Sequence, residues 1–258
     1  MKFEELDARM RVFETAHDHC VLPGIFMVVR LDGRGFTRRT KEIWKLETPF
    51  DVKFRDIMLA TTEHLLDCGF SVVYGYTQSD EISLLLRRGD ASFGRKTRKL
   101  VSILAGEASA KFTLSMGDLA CFDARVCQFP TQELVRDYFH WRQEDAHRNA
   151  LNAHCYWILR KSGQSVQEAT NQLDGLSVSE KNELLFQNGM NYNDLPSWQK
   201  RGAAVYREND QKSAMNPKTG ETVLASRRRL KHDLELPRGE QYGAFIDRFI
   251  EEAIASAR

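Results

Sequence analysis

The chain has 258 residues, 42 % of them hydrophobic and 28 % charged, and a net charge of +1. This length and composition fit an ordinary globular protein of one large domain or two small ones. No run approaches the roughly 18 apolar residues of a membrane span, the acidic start Met1-Lys2-Phe3-Glu4-Glu5 does not read as a signal peptide, and five scattered cysteines without a Cys-x-x-Cys pair argue against structural zinc and for reduced thiols in a cytosol.

Apolar periodicity predicts a helix over residues 4–18, a strand over 24–32, a helix over 51–68 and strands over 70–77 and 82–88. A helix over 93–116, a strand over 121–129 and a long helix over 131–161 follow. Residues 24–129 thus read β-α-β-β-α-β, the ferredoxin-like pattern, an α+β fold with antiparallel strands in the order 4-1-3-2. A first unit over 1–161 and an extension over 162–258 are expected. The extension reads as short helices at 165–173 and 179–186, an irregular stretch at 189–196 and an alternating hairpin over 202–224. Asn216-Pro217-Lys218-Thr219-Gly220 is its expected mobile tip, and an amphipathic helix over 241–257 closes the chain.

The tip Gln78-Ser79-Asp80-Glu81 sets two carboxylates side by side on a tight hairpin, where a turn built for stability carries Asn-Gly or Asp-Gly. Adjacent acids make sense there if a divalent cation neutralises them. In the order 4-1-3-2, Asp32-Gly33 at the end of the first strand lies at the same sheet edge. Asp32, Asp80 and Glu81 are therefore the candidate catalytic acids. Asp32, Asp80 and the Gly33 carbonyl are candidate ligands for two Mg²⁺ ions, which act on in-line phosphoryl displacement.

Arg95, Lys99 and Ser102 fall at i, i+4 and i+7 of the expected third helix and form a cationic stripe suited to a triphosphate beside those acids. Basic clusters at 38–41, 87–88, 95–99, 200–201 and 227–232 suit a large polyanion. On the long helix, Phe139, Ala146, Ala150, Ala153 and Trp157 follow core spacing. Trp141, Asp145, Asn149, Asn152 and Tyr156 form a second, polar stripe that calls for a ligand or buried polar partners. At about 100° per residue His147 projects roughly 140° away from Asn152, so the two do not face one small ligand.

Taken in order, Arg30-Leu31-Asp32-Gly33-Arg34-Gly35-Phe36, Gln78-Ser79-Asp80-Glu81, Asp145-Ala146-His147-Arg148-Asn149, Lys181-Asn182-Glu183 and Asn191-Tyr192-Asn193 through Lys200-Arg201-Gly202 resemble the tRNA-His guanylyltransferase family. Gly75-Tyr76-Thr77 before the acidic tip is more similar to the bacterial and archaeal guanylyltransferase-like members. The resemblance spans about residues 5–250. It implies a polymerase-palm-like domain that activates a tRNA 5′-monophosphate with ATP or GTP. The 3′-hydroxyl of an incoming nucleoside triphosphate then extends the 5′ end, in the 3′–5′ direction. It also implies metal ligation by Asp32, Gly33 and Asp80, with Glu81 in support.

Nucleotide contacts are implied for Asp32, Gly33, Arg34, Gly35, Phe36, Thr37, Ser79 and Asp80, and for Arg95, Lys99, Asn152 and Lys181, with Ser102 on the same stripe. For tRNA the implied contact is His147, with Arg148, Asn193, Lys200 and Arg201 beside it. A cytoplasmic homotetramer, with no membrane partner, is the implied assembly. One departure stands out: the family's Lys before Pro49, used in activation, is Thr48 here. Lys45 or Lys41 takes its part, or the activating nucleotide is held differently. The like-protein motifs favour templated repair of truncated tRNA 5′ ends over dedicated guanosine addition to histidine tRNA. A palm-fold nucleotide cyclase and a tRNA-binding protein without catalysis are the competing classes. The basic tail speaks against the first and the intact acids against the second.

Overall fold

Strands β1 (Phe26–Gly33), β2 (Val72–Gln78), β3 (Glu81–Leu86), β4 (Phe122–Phe129), β5 (Ala203–Met215) and β6 (Thr222–Asp233) form one sheet in the order β4-β1-β3-β2-β5-β6. The structure, a computed structural model, describes residues 1–215 and 222–255, and side chains within that range outside 210–226. The expected hairpin tip at Asn216–Gly220 lies outside the described residues. Every strand pairing is antiparallel. The ferredoxin-like order 4-1-3-2 is therefore present, and the β5–β6 hairpin widens it by pairing β5 with the edge of β2.

Strand alternation sorts the core into two layers. Met27, Val29 and Leu31 of β1 point to one face, and Phe26 and Val28 to the other. Helix α1 (Phe3–Thr15) precedes β1, and a short α2 (Phe36–Arg38) follows it. Helices α3 (Val52–Leu65) and α4 (Thr97–Met116) cover the first face through Met58, Leu65, Leu104 and Phe112. The start of α5 (Gln132–Lys161) covers the second face through Val135, Tyr138 and Phe139.

At 30 residues α5 is about 45 Å long, which exceeds the roughly 27 Å of an eight-residue strand. Its second half passes beyond the sheet and builds a separate core with α6 (Val166–Leu173) and α7 (Val178–Gln187). This change of partner rotates the buried face. Leu151, Cys155 and Leu159 are buried there, whereas Ala153 and Trp157, expected in the core, are only half-buried. A short α8 (Ser197–Arg201) leads into β5, and α9 (Glu240–Ile254) returns to the second sheet face through Tyr242 and Phe249.

One boundary bears on the site. Helix α4 begins at Thr97, four residues later than expected, because Phe93, Gly94 and Arg95 all take positive φ. Arg95 is therefore not on the helix and does not share a face with Lys99. No helix among the described residues is long and apolar enough to cross a membrane.

Candidate active site

The turn between β2 and β3 holds two residues, Ser79 and Asp80, with Gln78 paired to Glu81. Ser79 has φ +52°, the sign that type II′ hairpin turns reserve for glycine at this position. A non-glycine residue in the left-handed region costs roughly 1 kcal/mol. The Ser79 hydroxyl donates to Asp80 Oδ1 at 3.1 Å. The Gly33 N–H donates to the Asp80 carbonyl at 3.0 Å and ties the end of β1 to this turn. No larger residue fits at Gly33, because a Cβ would stand 2.6 Å from the Phe36 ring. Phe36 is itself buried against Trp44, Phe54, Phe112 and Phe122, so its side chain belongs to the core. Asp32 lies opposite Glu81 on one side and Asp123 on the other. Directly opposed residues share a face, so three carboxylates line one edge of the sheet.

These acids differ electrostatically. Burial, with the charges of Asp32 and Glu81 adding to it, pushes the Asp80 carboxyl up to about 6. Glu81 is instead held by two guanidinium groups, pairing with Arg30 and accepting from Arg142 Nη1 at 3.3 Å. Arg142 is buried and reaches Asp145 at 2.5 Å, and Asn149 donates to the same Asp145 oxygen at 3.2 Å. Asp145 and Asn149 of the polar stripe therefore serve a network that immobilises Glu81. Among the described residues neither Asp32 nor Asp80 forms an ion pair. Two carboxylates with unbalanced charge and one backbone oxygen are hard ligands suited to Mg²⁺. Among the described residues no group of three or more His, Cys, Asp or Glu is arranged to cage an ion. A cation here would complete its shell with phosphate oxygens and water, as Mg²⁺ usually does.

Beside Ser79 a cavity of 140 Å³ is lined by Lys41, Thr48, Phe54, Arg55, Trp157 and Trp198, among others. Lys41 Nζ lies 5.8 Å and 5.7 Å from the ring centroids of Tyr156 and Trp157. Lys45 is exposed and does not line the cavity. The Thr48 carbonyl accepts from Lys161 Nζ at 2.8 Å. A cation does reach the departing position, but it comes from the end of α5.

Arg34, Gly35 and Thr37 are exposed beside the acids. Arg95 is elsewhere. Its buried guanidinium donates to the carbonyls of Val21, Ile25, Arg88 and Asp90 at 2.8–3.1 Å. Ile25 and Asp32 are seven residues apart along an extended strand, about 23 Å. Arg95 is thus a structural clamp at the opposite end of β1. Lys99 and Ser102 lie in the first turns of α4, whereas Ser109, about 10 Å or more further along the helix, accepts from the Phe122 N–H opposite Gly33. The expected stripe is thereby taken away from the acids of its own chain.

Asn152 is exposed, and Lys181 is half-buried where its carbonyl accepts from Cys155 Sγ at 3.4 Å. His147, Asn193, Lys200 and Arg201 share an open cleft of 1200 Å³ with Arg238. Arg148 is exposed but does not line it. Burial, aided by Arg201, Lys200 and Arg238, holds the His147 imidazole below its ordinary pKa. Lys200 is buried, and its Nζ donates to the Asn193 carbonyl at 2.6 Å.

Sequence reasoning missed Arg30, Arg142, Asp123, Lys161 and Arg238. Strand alternation places Arg30 on the face of Asp32, and helical spacing places Arg142 next to Asp145. Those two signals were available in the chain.

Residues 7–130 match the family model described as tRNAHis guanylyltransferase, and residues 133–238 match that of the Thg1 C terminal domain. The chain is 35 % identical over 206 residues to the tRNA(His) guanylyltransferase of Debaryomyces hansenii, covering 75 % of this chain and 77 % of that protein. It is 32 % identical over 201 residues to the probable tRNA(His) guanylyltransferase of Drosophila melanogaster, covering 74 % and 70 %. The fold is similar to a bacterial tRNA(His) guanylyltransferase (Thg1)-like protein in complex with ATP, with TM-score 0.75 and 26 % identity over 97 % of this chain and 99 % of that one. A bacterial protein of the same description in complex with GTP gives TM-score 0.72 and 27 % identity over 95 % and 99 %.

Proposed function

The chain belongs to the tRNA(His) guanylyltransferase family, and from that premise we propose that it is a Mg²⁺-dependent, template-dependent 3′–5′ nucleotidyltransferase that repairs tRNA 5′ ends. The observation that carries the reading is the meeting of Asp32, Gly33 and Asp80 through the Gly33 N–H to Asp80 carbonyl bond of 3.0 Å. The curated relatives bear nucleotidyltransferase names, and the bacterial proteins of the same fold are in complex with ATP and with GTP, which supports nucleoside triphosphates as substrates.

In the first step an oxygen of the tRNA 5′-monophosphate attacks the α-phosphorus of ATP or GTP, and pyrophosphate leaves. In the second step the 3′-hydroxyl of an incoming nucleoside triphosphate attacks the activated 5′ phosphorus, and the nucleoside monophosphate leaves. Two Mg²⁺ ions, when bound, supply the positive charge that stabilises the attacking and leaving oxygens. Asp32, Asp80 and the Gly33 carbonyl would hold those ions, and Glu81, clamped by Arg30 and Arg142, fixes the β1–β3 register beside them. The cavity next to Ser79 takes the activating nucleotide, with Lys41 and Lys161 supplying the cationic groups around Thr48. The cleft of His147, Asn193, Lys200 and Arg201 follows the RNA backbone and its shape. The enzyme works in the cytoplasm as a homotetramer.

The discriminating experiment supplies 5′-truncated, monophosphorylated histidine and non-histidine tRNAs with Mg²⁺ and all four nucleoside triphosphates. The products are then sequenced at their 5′ ends. Template-directed repair of both tRNAs is the expected result. Addition of G alone, and only to tRNA with the histidine anticodon, overturns repair in favour of the dedicated activity that the relatives' names favour. No extension of any tRNA overturns both. A Lys41→Ala protein should extend 5′-triphosphorylated tRNA normally, because that end is already activated, while losing at least tenfold on the monophosphate.

A further inference from the structure

Helix α1 buries no side chain against the rest of the described residues, and none of its 13 residues is buried. Its hydrogen bonds and ion pair, Arg11 with Asp7 and Thr15 with the Arg11 carbonyl, stay within the helix. Among the described residues no hydrogen bond or ion pair joins it to another element. An isolated helix of this length is marginal in water, so α1 needs a surface to lie on. It offers one itself. Phe3, Leu6, Met10 and Phe13 are 76, 41, 52 and 73 % exposed, and their 3-4-3 spacing is the a/d seam of a two-stranded coiled coil.

The flanks of that seam identify the occupant. With Phe3 and Met10 at a, and Leu6 and Phe13 at d, the e positions are Asp7 and Glu14 and the g positions Lys2 and Arg9. Each flank therefore carries one sign of charge. In a parallel pair the g residue of one helix meets the e residue five positions on in its partner. Arg9 would face the partner's Glu14, and Lys2, the N-cap residue just before the helix, extends the same basic flank toward the partner's Asp7. An antiparallel pair sets e against e and g against g, which opposes like charges. An RNA partner is disfavoured, because residues 2–14 carry four acids (Glu4, Glu5, Asp7, Glu14) against three bases (Lys2, Arg9, Arg11). We propose that α1 pairs in parallel with α1 of a second copy of this chain through Phe3, Leu6, Met10 and Phe13, forming a two-fold interface. This surface would supply one interface of the homotetramer proposed above, and it rests on that reading only in needing a second copy.

Sedimentation of the full-length protein tests it. The native chain should be an oligomer, and the Leu6→Glu/Met10→Glu double variant should fall to a species of half the mass or less. Arg9→Glu should weaken association at least tenfold, and adding Glu14→Arg to the same chain should restore it. A Leu6→Cys variant, with the exposed Cys20 and Cys121 changed to Ser, should cross-link to a covalent dimer under mild oxidation, which only a parallel d–d contact permits. A native protein that is monomeric overturns both this inference and the tetramer. A native oligomer whose mass the double variant leaves unchanged overturns the inference alone. So does a double variant that loses tRNA binding at unchanged mass, since the stripe would then face RNA. Nucleotide addition by the native protein is read separately, so failure of the proposed activity is distinguishable from failure of this interface.

Discussion

Replacing Asp80 with Asn should stabilise the metal-free protein at neutral pH while abolishing nucleotide addition. The Asp80 carboxyl ionises at about 6 in the fold, against 3.8 for an unperturbed aspartate, because it is half-buried beside Asp32 and Glu81. Between these values the native state keeps a proton that the unfolded chain has released. The group is therefore least costly to the fold below about 4, and stability is lost as pH rises through about 6. A shift of roughly two units at about 1.4 kcal/mol each bounds the cost of the ionised form at about 3 kcal/mol. Partial solvation of the turn lowers the expected gain to about 1–2 kcal/mol, or roughly 2–8 °C in melting temperature for a chain of this size. Asn keeps an oxygen for the Ser79 hydroxyl, so the turn itself should survive. Urea denaturation near pH 4 and near pH 7.5, in EDTA and in Mg²⁺, measures the effect. The variant should exceed the native protein only at the higher pH and only in EDTA, because Mg²⁺ stabilises the native site alone. An Asp80→Asn protein no more stable than native in EDTA near pH 7.5 would refute the argument that its charge is held there at a cost.

Further substitutions probe the supports of the site. Arg142→Met leaves Glu81 with Arg30 alone and Asp145 with only Asn149, and should cost about 2–3 kcal/mol in urea denaturation. Arg95→Ala removes a guanidinium that serves four carbonyls and should destabilise by about 2–4 kcal/mol. Its nucleotide affinity, measured calorimetrically well below the melting temperature, should stay within about threefold of native, since the side chain lies about 23 Å of strand from Asp32. Gly202→Ala places a Cβ 2.7 Å from the Thr77 carbonyl and from the Tyr76 hydroxyl at φ +73°, so it should lower stability by about 1–3 kcal/mol in thermal denaturation.

The β-α-β-β-α-β order and the meeting of Asp32 with Asp80 were legible in the chain, because strand and helix periods are local and the antiparallel ferredoxin-like connection leaves few ways to arrange four strands. The acidic tip was legible for the same kind of reason, since two carboxylates on a two-residue turn oppose what a hairpin prefers. Arg95 was misplaced because three consecutive residues with positive φ delay α4, and helical spacing cannot report such a turn. The clamp on Glu81 and the reach of Lys161 to Thr48, 113 residues away, join elements distant in sequence.

Helix α5 makes the distinction plainest. Periodicity identified an apolar stripe through Phe139, Ala146 and Ala150, all buried. Beyond them the neighbours change from the sheet to α6 and α7, and Leu151 and Cys155 are buried while Ala153 and Trp157 are not. By itself the sequence determined the strands and long helices of the β-α-β-β-α-β unit and which edge carries the acids, but not the short α2 and α8 or the run of β6 to Asp233. Only the tertiary structure decided which element each face meets, because a side chain's direction is a local property of its own backbone and its partner is a property of the packed whole.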